Sequence, residues 1–187
     1  MRFPKKILFI ALLTVVCCSL SGCLTCDEKE YTFTFITPSI GKLTIKYKNI
    51  YSVAKDNTFD LDKDYEELIN FWLKGQKLEK DFPKAKNIKK RLFEENGTLC
   101  GEVTMDFYNI KDVRLFRYAD KGPYMFSLQA FNDDNEELVK SNGTMGGDQM
   151  PVLFWEPGIK KIKITTKIGA SENAAKYPML NKWEDRF

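Results

Sequence analysis

The stretch "YTFTFITPSIGKLTIKY", residues 31–47, alternates apolar and polar side chains on both sides of a central break. The aromatic residues Tyr31, Phe33 and Phe35 are separated by threonines, and a second alternating run, "KLTIKY", follows at 42–47. Alternation with a period of two is typical of a strand with one buried face. The stretch therefore predicts two strands joined by a short connection that contains proline and glycine.

Period-two patterns recur through most of the remaining chain. They predict further strands at 99–108, 112–118, 124–131, 137–141, 151–155 and 160–168. With one helical region added, they predict a mainly β fold, a small antiparallel β-sandwich with a helical excursion after the second strand. We expect the sandwich domain to span 31–171, with helices near 63–95, and a C-terminal tail to follow at 172–187.

The helical region begins with "DKDYEELINFWLKG", residues 62–75. Its apolar residues recur every three or four positions, and Asp62 or Asp64 can cap its start. Because Trp72 lies in the apolar stripe, we expect it in the core. A second helix is predicted after Pro83. Its apolar residues are Ile88, Leu92 and Phe93.

Residues 1–22 have the composition of an export signal. A basic start precedes an uncharged, mostly apolar run at 7–18. That run is too short to cross a bilayer as a helix, which needs roughly 20 apolar residues. It is followed by Leu20-Ser21-Gly22-Cys23, which resembles the lipobox of bacterial lipoproteins. The resemblance implies that Cys23 is acylated, contacts membrane lipid and becomes the first residue of the mature chain.

The same resemblance implies a place in the bacterial cell envelope. Leu24, rather than an aspartate, follows Cys23, which is typical of many Gram-negative lipoproteins of the outer membrane. We therefore expect a domain anchored in that membrane and facing the periplasm, with 23–30 as an acylated polar tether. A buried N-terminal helix and a plain cleaved signal peptide are the alternatives.

The charge balance argues against a nucleic-acid partner. The chain has 29 basic and 26 acidic residues, and three of the basic ones lie in 1–22, so the mature chain has a formal net charge of zero. A nucleic-acid binder is expected to have a basic excess or a basic stripe. Acidic residues flank the Lys-rich segment 84–91, which is typical of a solvated surface.

The side-chain inventory also restricts the chemistry. The chain has no histidine, which excludes Ser-His and Cys-His nucleophile pairs and the commonest zinc ligand. Asp60, Asp62 and Asp64 begin like a calcium loop, but Tyr65 and Phe71 stand where a glycine and a bidentate glutamate are required. We expect no catalytic residues, no metal site and no cofactor.

Two cysteines besides Cys23 remain in the mature chain, Cys26 and Cys100. In an oxidising compartment they could form a disulfide. The sequence does not give the separation of their Cα atoms, on which such a bond depends. The paired and the unpaired state both stay open.

The segment "IYSVAKDNTFDLDKDYEEL" is similar to a segment of the type VI secretion outer-membrane lipoproteins. In that family a strand ending in Tyr-x-Leu precedes a loop, a Phe and an acidic-started helix, and Tyr51, Val53, Phe59 and Leu68 occupy those places here. "YMFSLQAFND" and "KIKITTKI" resemble later strands of the family. The resemblance implies a non-catalytic protein that docks a protein partner in the cell envelope.

The docking loop of that family lies between its first two strands. By the resemblance, the partner-binding residues here are Thr37, Pro38, Ser39, Ile40, Gly41 and Lys42. We expect Ile40 to be exposed, and its folding back onto the sandwich end is the alternative. A different reading is a surface or periplasmic lipoprotein that binds a glycan or a host protein. It would use exposed aromatic residues and the hairpin tip Asn132–Glu137.

Overall fold

The computed structural model describes residues 24–54, 59–119, 121–130, 136–147, 149–168 and 175–185. These residues form two antiparallel sheets with an apolar core between them. The predicted fold class, mainly β and a small antiparallel β-sandwich with a helical excursion after the second strand, is confirmed.

The strands follow the predicted order along the chain, with additions and one correction. Of the predicted strand at 112–118 only Phe116–Arg117 is a strand, because a 3-10 helix (Ile110–Val113) occupies its start. The strands are β1 (Leu24–Phe35), β2 (Gly41–Val53), β3 (Lys86–Glu95), β4 (Thr98–Phe107), β5 (Phe116–Arg117), β6 (Tyr124–Ser127), β7 (Glu136–Ser141), β8 (Thr144–Met145), β9 (Val152–Trp155), β10 (Lys161–Ile168) and β11 (Lys176–Pro178). The larger sheet has the order β3-β4-β2-β1-β10-β7, and β11 pairs with the end of β2. The smaller sheet has the order β5-β6-β9-β8. Strands β3 and β7 are therefore the edges of the larger sheet's main path.

The hairpin of β1 and β2 is the centre of the larger sheet. Phe33 pairs with Leu43, and both side chains are buried against the smaller sheet, where the ring centroids of Phe33 and Phe126 lie 6.4 Å apart. The alternation in the sequence therefore correctly predicts which face of this hairpin is buried.

Strand β1 starts earlier than the sequence indicates. Leu24 already pairs with Ser52 of β2, and Glu28 lies between Lys48 of β2 and Lys167 of β10. The predicted tether at 23–30 is therefore wrong from Leu24 onward. These residues carry four charges and a weak alternation, but two neighbouring strands supply their backbone hydrogen bonds, and tertiary pairing overrides local propensity.

The helical excursion consists of α1 (Leu61–Glu67), a π-helical continuation (Leu68–Leu73) and α2 (Lys77–Asp81). The N-cap is Asp60 rather than Asp62 or Asp64. Its carboxylate accepts hydrogen bonds from the N–H groups of Asp62 and Lys63 at 3.0 and 3.1 Å. Asp64 is instead buried, where it accepts a hydrogen bond from Ser52. The sequence locates the helix correctly and assigns the wrong cap.

The second predicted helix is wrong, because its residues form the edge strand β3. Asn96 and Gly97 have φ values of +55° and +74° and join β3 to β4. Two consecutive residues with positive φ form the tight turn preferred in two-residue hairpins. The helices predicted near 63–95 therefore end at Asp81.

The predicted tail at 172–187 is also wrong for the described residues 175–185. Strand β11 pairs with β2, and a short helix, α3 (Leu180–Glu184), follows it. Met179 between them is fully buried, and its N–H donates to the Ile50 carbonyl at 3.4 Å. This segment belongs to the folded domain.

The core has two parts. One lies between the sheets, and the other lies under α1, the π-helical turn and α3. The second part contains Cys26, Ile50, Tyr65, Leu68, Ile69, Leu99 and Met179. Tyr47 and Trp72 are partly buried and contact both parts. Trp72 therefore joins the two parts rather than occupying the centre of either.

Candidate functional site

Four segments meet at one end of the sandwich, which we call the loop end. They are the β1–β2 loop, Tyr108 directly after β4, the β5–β6 turn with Tyr118, and the β9–β10 loop. The N–H of Phe35 donates to the carbonyl of Lys160 at 3.0 Å, which joins the first and the last of these segments. Gly41 pairs with Phe107, so Tyr108 emerges beside the β1–β2 loop.

The β1–β2 loop is held by its own backbone. The N–H groups of Ile36 and Thr37 both donate to the Ile40 carbonyl, at 2.9 and 3.1 Å. The Thr37 hydroxyl accepts from the N–H groups of Ser39 and Ile40 at 3.4 and 3.2 Å. These bonds satisfy the loop's polar groups locally, as is common for Thr in turns. The loop therefore has a defined shape that its own hydrogen bonds maintain.

Gly41 ends the loop at a point where no other residue fits. A Cβ atom there would lie 2.3 Å from the Thr34 carbonyl oxygen and 2.8 Å from the Phe107 ring. The backbone of Thr34 cannot move away, because β1 is paired on both sides. The glycine thus allows the close approach of β2 to β1 at the base of the loop.

Tyr124 of β6 connects the loop to the smaller sheet. Its hydroxyl donates to the Pro38 carbonyl at 2.9 Å, and its ring stacks on Phe35 with centroids 4.7 Å apart. Burial raises the pKa of the Tyr124 hydroxyl, although Arg117 opposes the rise. The hydroxyl therefore stays protonated at neutral pH and remains a hydrogen-bond donor.

Three apolar side chains of the loop end are exposed to solvent. The exposed fraction is 75% for Ile36, 59% for Tyr108 and 82% for Tyr118. Ile40 is only half-buried, so the prediction that it is the exposed residue of the loop is wrong. Ile36 is the residue that the sequence analysis missed. The sequence does contain a sign of this exposure. Ile36 directly follows the inward-facing Phe35, so it is an apolar residue at an outward-facing position of the alternation.

The predicted partner-binding residues differ in their exposure to solvent. Thr37, Pro38 and Ser39 are exposed and Ile40 is half-buried. Gly41 is buried and Lys42 is exposed on β2, with its Nζ 3.9 Å from an Asp106 carboxylate oxygen. The loop itself is thus accessible at residues 36–39, while its C-terminal end belongs to the sheet.

A buried polar cluster lies on the inner face of the larger sheet, about halfway along β1. The Glu136 carboxylate accepts a hydrogen bond from Lys29, from the Tyr31 hydroxyl at 3.0 Å and from the Thr166 hydroxyl at 2.7 Å. The Lys29 and Glu136 side chains are 10% and 2% exposed. Both carboxylate oxygens accept hydrogen bonds, as a buried charge requires. The cluster therefore links β1, β7 and β10.

Cys26 and Cys100 are buried thiols and do not form a disulfide. Cys26 lies on β1 and Cys100 on β4, and β2 runs between these strands. Two strand spacings separate the two backbones by roughly 10 Å, whereas a disulfide requires Cα atoms within about 7 Å. The topology therefore decides the question that the sequence left open.

The three tryptophans are the largest aromatic candidates for the ligand-binding alternative, and none of them is among the exposed residues. Trp155 is buried, and its indole N–H donates to the Asn142 side-chain oxygen at 2.9 Å. Trp72 and Trp183 are half-buried. At the hairpin tip Asn132–Glu137, residues 132–135 lie outside the described part of the chain.

Cys23 also lies outside the described residues, which begin with its neighbour Leu24. In the described ranges, no group of three or more Cys, Asp or Glu side chains is arranged to hold a metal ion. Among the same residues no helix is long and apolar enough to cross a bilayer. No protein-family model matches the chain, and neither does any curated protein sequence.

Proposed function

We propose that this protein is a lipid-anchored, non-catalytic protein of the bacterial envelope that docks a protein partner through its loop end. The observation that carries the proposal is the course of β1. This strand starts one residue after Cys23 and leads directly into the β1–β2 loop. Its 12 residues reach roughly 40 Å at about 3.4 Å per residue.

The anchor rests on the lipobox-like sequence Leu20-Ser21-Gly22-Cys23. Several acyl chains on Cys23 would hold the protein firmly, because each buried methylene contributes about 0.8 kcal/mol. With the strand beginning at Leu24, the domain has no leash between lipid and fold. The loop end then lies at the other end of a stiff strand, away from the bilayer, where a partner can reach it.

The chemistry of the loop end supports protein docking. Ile36, Tyr108 and Tyr118 supply the apolar and aromatic area that is enriched in the centres of protein interfaces. The internal hydrogen bonds hold the loop in one shape, which lowers the entropy cost of association. Exposed Lys121 and Lys160 lie in the β5–β6 turn and the β9–β10 loop, which belong to the same end. The matching partner surface is apolar with carboxylates at its rim.

The type VI secretion resemblance adds an expectation about the partner. By that resemblance the protein sits in the outer membrane and binds an inner-membrane component whose periplasmic domain reaches it. The outer-membrane location and the secretion system both stay predictions. The alternative, a surface or periplasmic lipoprotein that binds a glycan or a host protein, has less support, since Trp155 is buried and the tip of its proposed hairpin lies outside the described residues.

The first experiment tests the anchor. Cys23→Ser in the full chain should leave an uncut precursor that carries no lipid, measured by intact mass and by partition into detergent. Cys18→Ser is the matched control, because Cys18 lies in the leader without the Leu-small-small context. Unchanged mass and partition of Cys23→Ser would contradict the anchor.

The second experiment tests the docking surface. Ile36→Asp should remove a cross-linked partner from intact envelopes while the melting temperature of the purified protein stays unchanged. Val139→Asp is the control, because Val139 is an exposed β-branched residue on β7, at an edge of the sheet. If Ile36→Asp keeps every partner that the unmodified protein has, the loop end is not the docking surface.

A further inference from the structure

The end of the sandwich opposite the loop end has its own arrangement, which we call the anchor end. It consists of Leu24, Ser52, Phe59 and β11. Leu24 and Tyr177 both pair with Ser52, from opposite sides of β2. Directly paired residues of antiparallel strands project to the same face. Tyr177 therefore lies in the row of Leu24, roughly 10 Å away across two strand spacings.

An aromatic pair occupies this end. The rings of Phe59 and Tyr177 stack with centroids 4.3 Å apart and an interplanar angle of 30°. Tyr177 is 38% exposed and Phe59 is half-buried, so the pair is not enclosed by the core. Tyrosine combines an apolar ring with a polar hydroxyl, and such side chains are enriched where a protein meets the headgroup layer of a membrane.

Two lysines that follow or flank Tyr177 in the described part of the chain form ion pairs. Lys176 is 2.9 Å from Asp27, and Lys182 forms an ion pair with Asp62 at 2.5 Å. Neither lysine is thus available as part of a basic patch for anionic lipids. A contact of this end with a membrane through the aromatic rings would depend little on lipid charge or on salt.

We propose that the anchor end rests on the bilayer, with the Phe59–Tyr177 pair in the headgroup layer. The inference rests on the proposed acylation of Cys23, which would attach the lipid directly beside Leu24. The acyl chains and the aromatic pair then form two separate contacts on one surface. Two contacts fix the tilt of the domain, whereas a single attachment point at Cys23 sets only its distance from the bilayer. We assign the lipid surface as the partner of the anchor end because this end is continuous with the proposed acyl anchor.

The test uses the acylated full chain in vesicles of zwitterionic phosphatidylcholine that carry bromine near the headgroup. Tyr177→Trp should add tryptophan fluorescence that the bromine quenches, relative to the background of the unmodified protein. Tyr118→Trp is the matched control at the loop end and should add fluorescence that is not quenched. Phe59→Trp replaces the other ring of the pair, and its added fluorescence should be quenched like that of Tyr177→Trp. This second variant keeps the test valid if one of the two fails to fold.

The outcomes separate this inference from the proposed function. Quenching at 177 and 59 but not at 118, unchanged by salt, supports it. If the protein floats with the vesicles and all three positions are equally unquenched, the anchor end does not touch the bilayer and only this inference fails. If the acylated chain cannot be obtained and nothing floats, the anchor itself is wrong and both proposals fall.

Discussion

The Tyr124 hydroxyl donates a hydrogen bond to the Pro38 carbonyl at 2.9 Å and so joins the smaller sheet to the loop of the larger one. Pro38 offers only its carbonyl, because proline has no N–H group. The stack of Tyr124 on Phe35 lies directly beneath this bond. The shape of the β1–β2 loop therefore depends on the contact between the two sheets.

Tyr124→Phe should loosen this loop and leave the core intact. The variant keeps the ring and loses one hydrogen bond, which costs about 0.5 to 1.5 kcal/mol of unfolding free energy. Chemical denaturation measures that loss, and amide exchange at Ile36 and Ile40 should become faster. An unchanged exchange rate at both amides would mean that the loop's internal bonds alone hold its shape.

Lys29→Met should be among the most destabilising single changes. It would leave the buried Glu136 carboxylate without its cation, and breaking a buried ion pair costs about 3 to 5 kcal/mol. The double variant Lys29→Met with Glu136→Leu should be more stable than Lys29→Met alone, because no uncompensated charge remains. Urea denaturation of both variants gives the comparison. Equal losses in the two would assign the effect to packing rather than charge.

Trp72→Ala should destabilise the fold moderately, since the indole contacts both parts of the core but is only half-buried. We expect a loss of about 2 to 3 kcal/mol, below the about 3 to 5 kcal/mol of a fully buried tryptophan. Phe71→Ala is the control from the same turn, because Phe71 is 56% exposed. A melting temperature lowered equally by both changes would disprove the role of Trp72.

Asp27 gives the fold a pH dependence at acid pH. Burial raises the pKa of its carboxyl, but hydrogen bonds from Lys176 at 2.9 Å and Asn49 at 2.6 Å outweigh burial and hold the pKa below 3.8. A lowered pKa in the folded state stabilises the fold above the unfolded pKa. That contribution is lost as the pH falls through the folded pKa.

Asp27→Asn should therefore be less stable than the unmodified protein at neutral pH, and the difference should shrink below about pH 3.8. Denaturation midpoints measured from pH 7 downward test this. Other carboxylates titrate in both proteins, so the difference between the two isolates Asp27. If the difference stays constant with pH, the hydrogen bonds from Lys176 and Asn49 stabilise the protonated and the ionised carboxyl of Asp27 equally.

The sequence correctly predicts the strands that have a continuous buried face. It does not predict the segments that become strands only because neighbouring strands pair with them. The alternation at Phe33 and Phe35 locates the sheet's inner face correctly. The charged start of β1 is a strand only because β2 and β10 flank it, which local pattern cannot reveal. In β3, Ile88, Leu92 and Phe93 have helix-like spacing. The Asn96-Gly97 turn was the available signal for a hairpin there.

The sequence predicts where the candidate site lies, but it does not predict which side chains are exposed there. The sequence identifies the β1–β2 loop, because proline and glycine interrupt two alternating runs. It does not reveal that Tyr108 and Tyr118 lie at the same end, since they come from distant strands. The sequence also suggests Ile40 as the exposed residue, whereas Ile36 is the exposed one. The internal hydrogen bonds that turn the loop decide this, and they depend on three-dimensional geometry.

If the chain is anchored as proposed, the edge strand β3 has a consequence for crowding in the plane of the membrane. Anchored copies that stand upright would hold their sheet edges at equal height, so open strands could pair side by side far more readily than in free solution. Lys86, Lys89 and Arg91 are exposed along β3. Charged side chains of this kind on an edge strand oppose pairing between chains. Neighbouring copies could then pack densely on the lipid surface and still diffuse past one another as separate molecules.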